Sequence, residues 1–550
     1  MKKLLPVILL VSTLWSYKYA VVIKETTYSN DPGWRAVADT LINRHNGRLF
    51  TWTSRVTDVQ DSLSAYMPDY IAFVARPVIE LNANFVRTVS TMTRELDDDP
   101  YGDAIWGIVT GFYADDAIRA VTVDSLRVKS LLGGFIGYTG LVYQSITTSE
   151  SRHHRIVFTF PDREVIDTVA SDLCPTDRTY MLAGYLNNGF NDSLPGHPRI
   201  EGPVDMFVTS GHANVDVWQL HYPDPDDEGY FRSRFPGQLY GAPHSGADTL
   251  INSTNPKVYY APGNCLIANP SMYDNMVYAW FHTGGAIQMI GYIVTTWYGY
   301  MGWGVGSYFF QSQGDYTLQE SFFSNNQSLV YDLLHGTPGT DSSGLAYDKD
   351  AVVIYGDPAQ PVRLYPVRSP LYSQSLTVRQ GSTRDTFEYR ITVNYDSTAL
   401  SRHPIGFLPY RIDSVQILET NAIDAVVTDN FVMLHCWHSG MPRLNAGDQR
   451  YVIFTGKRIP TEVQEEPKPV EIDFPSMVTG EYLTIRFGNV NQGPWQLSVY
   501  GLDGRKILNQ RLLPYNGTRF TLPWNLPAGV YFVRIFSNTK GMMKKVIVVR

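Results

Sequence analysis

Three cysteines in 550 residues, Cys174, Cys265 and Cys436, are too few for a disulfide scaffold, and their wide spacing excludes a CxxC zinc or redox motif. At least one thiol therefore stays free. Charge of one sign is also scarce: a net charge of -8 over this length steers the chain toward neither nucleic acid nor an anionic membrane. Runs long enough to span a bilayer are missing as well. The apolar stretch from Leu4 to Leu14 is too short. The segment between Asp274 and Asp315 lacks Lys, Arg, Asp and Glu, but glycines from Gly284 to Gly306 interrupt it, and it carries His282 and Gln288. It reads as a buried helix, a central strand and a glycine-rich loop.

With 44% hydrophobic and 18% charged residues the chain is globular. Its length implies about three to four domains. The start, Met1-Lys2-Lys3 followed by Leu4 to Leu14 and Trp15-Ser16, has the layout of a secretory signal peptide over residues 1–16.

From Tyr19 onward short β-branched runs alternate with helical spacing. Ala20 to Ile23 and Tyr70 to Val74 read as strands, and Trp34 to Ile42 and Leu81 to Leu96 as helices. This alternation predicts an α/β fold with a mostly parallel sheet flanked by helices over residues 17–360. Between Val121 and Pro203 the pattern is weak. His153-His154 there has no further metal ligands in view and reads as a solvated turn. The pattern resumes with strands ending near Gly211 and Asn264, a helix from Met272 to Phe281, a strand from Ala286 to Val294 and helical spacing from Gln313 to Leu334.

Beyond Pro361 short alternating strands, including Phe387 to Val393 and Tyr451 to Phe454, predict an Ig-like β-sandwich over residues 361–458. The Pro-rich, charged segment 459–470 reads as a linker, and residues 471–550 as a small C-terminal β-sandwich.

Two reactive residues stand at predicted strand ends. His212 follows Val204 to Gly211, and Cys265 follows Val258 to Asn264. Ligands of open parallel sheets bind at such ends. A thiol with an ordinary pKa of about 8.5 needs a base to supply its thiolate, and a nearby imidazole serves. Gly211 and Ala213 leave the backbone beside His212 open to substrate, and the N–H groups of Ala213 and Cys265 are candidate oxyanion donors. The residue types alone favour a buried structural thiol and an ordinary histidine.

Further segments carry a resemblance. Phe73-Val74-Ala75-Arg76-Pro77, Thr209-Ser210-Gly211-His212 with Trp218, Asn264-Cys265, Ala279 to Gly291, Trp297 and Gly356-Asp357-Pro358 together resemble the catalytic domain of gingipain-type cysteine peptidases, which have a caspase-like fold. The resemblance spans Tyr19 to Tyr365. It implies a His212–Cys265 dyad, with Trp297 bordering the pocket for the residue before the cut bond. Two departures stand out: Ala213 replaces the usual Gly after the histidine, and Leu266-Ile267-Ala268-Asn269 follows the cysteine. No aspartate among Asp172, Asp177 and Asp192 stands out as the base of a pocket for basic side chains, so side-chain preference stays open. Family members can bind structural calcium, but no local oxygen-rich motif places one here, and the site reading includes no metal.

The C-terminus resembles a type IX secretion sorting domain. The residues are Leu497 to Arg505 with its Asp503-Gly504 turn, Leu526-Pro527-Ala528-Gly529-Val530-Tyr531, and the terminal Lys544 to Val549. This implies export across an outer membrane to a secreted or cell-surface location.

The expectation is thus a secreted, monomeric cysteine endopeptidase without cofactor. Its partners would be polypeptide substrates and the type IX secretion machinery, with no nucleic acid and no stable membrane span. A catalytically inactive surface protein used for binding or adhesion is the alternative. A processing role on other exported proteins would share the same chemistry.

Overall fold

The computed structural model describes residues 17–136, 145–150, 155–160, 165–169, 177–190, 201–220, 229–367, 369–459, 471–479, 482–488, 495–512, 519–523, 526–537 and 541–549. The proposed signal peptide, the His153-His154 pair, Cys174, Asp172, Asp192 and the linker beyond Ile459 lie outside them. The chain divides into two compact units, Met1–Ile459 and Pro460–Arg550.

A twelve-stranded sheet organises the first unit. Its strands in chain order are β1 (Tyr19–Lys24), β2 (Arg48–Trp52), β3 (Tyr70–Val74), β4 (Ile105–Val109), β5 (Leu131–Ile136), β6 (Ser145–Glu150), β7 (Arg155–Phe160), β8 (Val165–Val169), β9 (Met206–Gly211), β10 (Lys257–Asn264), β11 (Ala286–Tyr292) and β12 (Val352–Tyr355). Across the sheet they run β2-β1-β3-β4-β12-β11-β10-β9-β5-β6-β7-β8. Strands β3 and β4 are apolar throughout and β11 is apolar but for Gln288, as strands buried on both faces largely are.

The sheet is two oppositely directed parallel blocks, extended at one edge by the antiparallel strands β7 and β8. Strands β2, β1, β3, β4 and β12 share one direction. Strand β11 is antiparallel to β12, and β10, β9, β5 and β6 follow β11. The C-terminal ends of β9 and β10 therefore lie at the edge opposite to those of β1, β3 and β4. The Phe73 to Pro77 segment sits on that far edge, away from His212 and Cys265.

Helices cover the faces. Helix α1 (Pro32–His45) is capped by Asp31, whose side chain accepts from Gly33 and Trp34 N–H, and ends at Asn46 in a left-handed conformation. Helix α2 (Met276–His282) starts at Asn275, whose side chain accepts from Tyr278 N–H at 2.9 Å. It begins four residues later than the spacing alone predicts. Its Trp280 stacks on Tyr259 of β10 at 4.2 Å between ring centroids. The segment read as a glycine-rich loop contains a further helix, α3 (Tyr300–Gly306), running into a π-helical turn over Ser307–Gln311. Its glycines permit close packing rather than a loop: a Cβ on Gly302 would stand 2.1 Å from the Pro262 carbonyl oxygen. The long helix α4 (Leu318–His335) carries a capping box between Thr317 and Glu320.

A five-stranded antiparallel sheet from Ala213 to Ile251, not anticipated from the sequence, projects directly from the end of β9. Residues 372–458 form a four-stranded sheet facing a three-stranded one, with their own apolar core around Phe387, Ile391, Leu434 and Phe454. A second apolar cluster, including Tyr101, Phe323, Ile405 and Phe431, joins this sandwich to the helices of the main sheet. The second unit holds a three-stranded and a five-stranded sheet around Leu483, Ile485, Leu497 and Val533.

Candidate functional site

Strands β9 and β10 are parallel neighbours, with Ser210 opposite Gly263 and Gly211 opposite Asn264. His212 and Cys265 are thus the next residues on two adjacent chains leaving one edge of the sheet. Two residues 53 positions apart in sequence become neighbours through strand pairing.

The two strand ends are locked to each other. Asn264 is fully buried, and its side-chain amide sits between Thr209 and Gly211 of β9. In the amide orientation that satisfies both its atoms, nitrogen donates to the Thr209 carbonyl at 2.6 Å and oxygen accepts from Trp218 Nε1 at 3.1 Å. Trp218 is itself fully buried and lies against Gly134 of β5, where a Cβ would come within 2.5 Å of the indole. The residues just before His212 and Cys265 therefore form one polar bridge roofed by Trp218.

Cys265 is a free thiol, partly exposed, at the first position of a turn. Its Sγ accepts a hydrogen bond from Thr296 N–H at 3.1 Å. The turn is held on its other side: Leu266 N–H donates to Val294 C=O at 2.8 Å and Ala268 N–H to Tyr292 C=O at 3.0 Å. Leu266 takes a φ of 56°, a left-handed conformation that costs a bulky L-residue on the order of 1–2 kcal/mol. Strain in the residue directly after the thiol fixes the direction in which the thiol leaves the sheet. Cys436 is its opposite: burial pushes that thiol up to about 12, and its Sγ faces the Leu434 carbonyl.

His212 is exposed at the edge of the antiparallel extension. Its carbonyl accepts from Gln219 N–H at 2.8 Å. That bond makes Ala213 opposite Trp218 the non-hydrogen-bonded pair of the ladder, so the Ala213 N–H points away from its hairpin partner. The positive φ in this turn, 123°, falls on Gly211; Ala213 has none. Ala213 therefore stands without strain where a glycine was expected, and its donor is available to a ligand.

The loop that supplies the Thr296 donor carries Trp297, 73% exposed, and Tyr298, whose ring stacks on Tyr300. A different tryptophan packs on the strand itself. Trp303 of α3 packs so closely on Gly263 that a Cβ there would be 3.1 Å from the indole nitrogen and 2.7 Å from Ser210 Oγ. Ser210 and Trp303 therefore flank the backbone two residues before Cys265. Asp177, of the three aspartates considered, is tied to Thr179 N–H at 2.9 Å and to His244 N–H.

A carboxylate cluster lies elsewhere. Asp97, Asp103 and Asp429 each place one oxygen within 4.8 Å of the others, an arrangement of hard donors that could hold a divalent cation. Desolvation, then the charge of Asp97, raises the Asp103 carboxyl to about 8, and its Oδ1 has no hydrogen-bond partner. Asp429 also pairs with Arg411. The run Asp97-Asp98-Asp99 and Asp103 is visible in the sequence, but the third carboxylate comes from the β-sandwich. No local motif could disclose it.

Comparison with known proteins adds one firm assignment. Residues 474–549 match the family described as secretion system C-terminal sorting domain. This chain is exported, to a secreted or cell-surface location, and its tail addresses it to the secretion machinery. No curated protein matches. Among solved structures, the BSP domain of a biofilm associated protein is 10% identical, with 32% of this chain and 51% of that chain covered and a TM-score of 0.14. A Lactobacillus rhamnosus β-glucuronidase is 8% identical, with 34% and 46% covered and a TM-score of 0.12. The match spans about half the length of each. Among the described residues no helix is long and apolar enough to cross a membrane.

Proposed function

We propose that the chain is an exported cysteine endopeptidase with a caspase-like catalytic unit, braced by an Ig-like β-sandwich. The observation that carries this reading is the pairing of Gly211 with Asn264, which sends His212 and Cys265 off adjacent parallel strands. The Cys265 sulfur, relieved of its proton by His212 and stabilised by the Thr296 N–H, attacks the substrate carbonyl carbon. The oxyanion that forms is met by the N–H groups of Ala213 and Cys265. His212 returns the proton to the leaving amine, and a thioester remains on Cys265. Water, deprotonated by His212, attacks the thioester carbonyl; the N-terminal fragment departs with its new carboxylate, and His212 returns the proton to the Cys265 sulfur. Polypeptides are the substrate class, and no cofactor takes part.

Cleavage of a mixed peptide library, read by mass spectrometry, tests the proposal with Cys265→Ala beside the wild type. The wild type should cut and the variant should not. Equal cutting by both would overturn it. Absence of cutting by either, with Cys265 alkylated no faster than Cys436, would favour the binding or adhesion alternative.

A further inference from the structure

The sorting domain carries a charge opposite to that of the chain. Residues 474–549 hold nine Lys and Arg against two Asp and Glu, a net of +7 in a protein whose total is -8. Strand register decides where those cations stand.

Four neighbouring strands of the five-stranded sheet in the second unit are β13 (Trp495–Tyr500), β14 (Lys506–Leu512), β15 (Gly529–Phe536) and β16 (Gly541–Val548), in the spatial order β16-β15-β13-β14. Side chains alternate between the two faces. Leu497, Val499, Val533 and Val546 enter the core, so the residues between them form the opposite face. Pairing sets that face in rows. Tyr500 stands between Lys506 and Phe532, with Lys545 beyond Phe532. In the next row Ser498 stands between Asn509 and Arg534, with Met543 beyond. In the third, Gln496 stands between Arg511 and Phe536. With strands about 4.8 Å apart and rows two residues apart, the four cations share a patch about 15 Å on a side.

Lys506, Arg511, Arg534 and Lys545 are all exposed, and so is Met543 at 60%. Aromatic rings support two of them from the side. Lys506 Nζ lies 5.8 Å from the Tyr500 ring centroid, and the Arg534 guanidinium carbon 4.3 Å from that of Phe536. Among the described residues none of the four forms an ion pair. The carboxylate of Asp503 lies in the hairpin turn between β13 and β14, where it accepts from Arg505 N–H at 3.1 Å. Four like charges gathered on one face repel one another, and an anionic partner relieves that repulsion.

The other side chains on the face narrow the partner. Tyr500, Phe532, Phe536 and Met543 put apolar surface between the cations, on the broad side of a sheet. Rings at headgroup level, with Lys and Arg reaching phosphates, make the contact a protein forms with a lipid leaflet. We propose that this face docks the exported chain on the phosphate-bearing surface of an anionic lipid leaflet. The face belongs wholly to the second unit and is independent of the strand-end pair.

Flotation of the full chain with lipid vesicles tests the assignment. Vesicles of equal parts phosphatidylcholine and phosphatidylglycerol should carry the wild type with them, and vesicles of phosphatidylcholine alone should not. Lys506→Gln, Arg511→Gln, Arg534→Gln and Lys545→Gln should each weaken binding about fivefold, and the four combined should abolish it. Thermal unfolding of each variant checks that the fold is kept. Arg486→Gln, an exposed cation on the other sheet of the unit, should change nothing. Salt at about 1 M, where screening reaches to about 3 Å, should release the wild type. Equal flotation with both kinds of vesicle, or flotation that survives in the combined variant, would overturn the proposal. Failure of the wild type to float would overturn it too. If the combined variant is then also retained inside the cell, the face is read by an acidic protein of the secretion machinery instead.

Discussion

Gly211 and Asn264 face each other across parallel strands, and the buried Asn264 amide closes the gap between them. Everything distinctive about the candidate site follows from that pairing. It sets the departure points of His212 and Cys265, and the Thr209 and Trp218 contacts hold those points fixed.

Replacement of Asn264 by alanine should therefore act on stability and activity together. It strands the buried groups of Thr209 and Trp218, at a cost of about 1–3 kcal/mol. Urea unfolding of the variant measures that loss. Peptide cleavage should fall by more than the remaining folded fraction accounts for, because the two strand ends are no longer tied.

Ala213 yields a contrasting pair of substitutions. Since its φ is not positive, Ala213→Gly should leave kcat/KM within about twofold of the wild type. Ala213→Pro removes an N–H that the hairpin ladder does not use. Its fold should survive by circular dichroism, while kcat falls about 10²- to 10³-fold, the usual cost of one oxyanion donor. A silent Ala213→Pro would show that the oxyanion is stabilised elsewhere.

Much of this was legible in the sequence, because apolar runs such as Val204 to Val208 and Val258 to Ala261 can only be buried strands, and the residues after them must emerge at a sheet edge. What stayed hidden depends on contacts between distant segments. The reversal of strand direction at β11 and β12 leaves no local trace, since an apolar strand reads alike in either sense. Helix α3 reads as a loop in the sequence because glycines that permit close approach to Pro262 look like turn residues in isolation. The Thr296 donor to Cys265 is a backbone group, and the Ser210–Gly263–Trp303 contact unites three separate segments. Trp297 was the visible tryptophan, yet Trp303 is the one packed on the strand that carries the thiol.

The two-unit division predicts the outcome of truncation. Removing residues 460–550 takes away a body with its own core, so the thermal unfolding of the Met1–Ile459 unit should be unchanged within about 2 °C, given that a loss of 1 kcal/mol in a large domain shifts Tm by about 2–4 °C. Export should be lost, because the sorting domain lies wholly within the deleted part. Comparing culture supernatant with cell fractions reads the second effect.

Burial of Asp103 within the carboxylate cluster makes stability depend on pH in a fixed sense. Without a cation, desolvation and the charge of Asp97 hold the Asp103 carboxyl at about 8, above its ordinary value of about 3.9 in the unfolded chain. Between those values the folded state binds more protons than the unfolded one, so the stability contributed by this group is present at low pH and is lost as pH rises toward 8. A divalent cation bound by Asp97, Asp103 and Asp429 favours the ionised form and opposes that loss. Calcium should therefore raise Tm most near pH 8 and progressively less toward pH 5. At a concentration 100 times its dissociation constant it should add about 2.7 kcal/mol. Asp103→Asn should abolish both the calcium effect and its pH dependence, and a calcium response that survives in that variant would assign the cation to other residues.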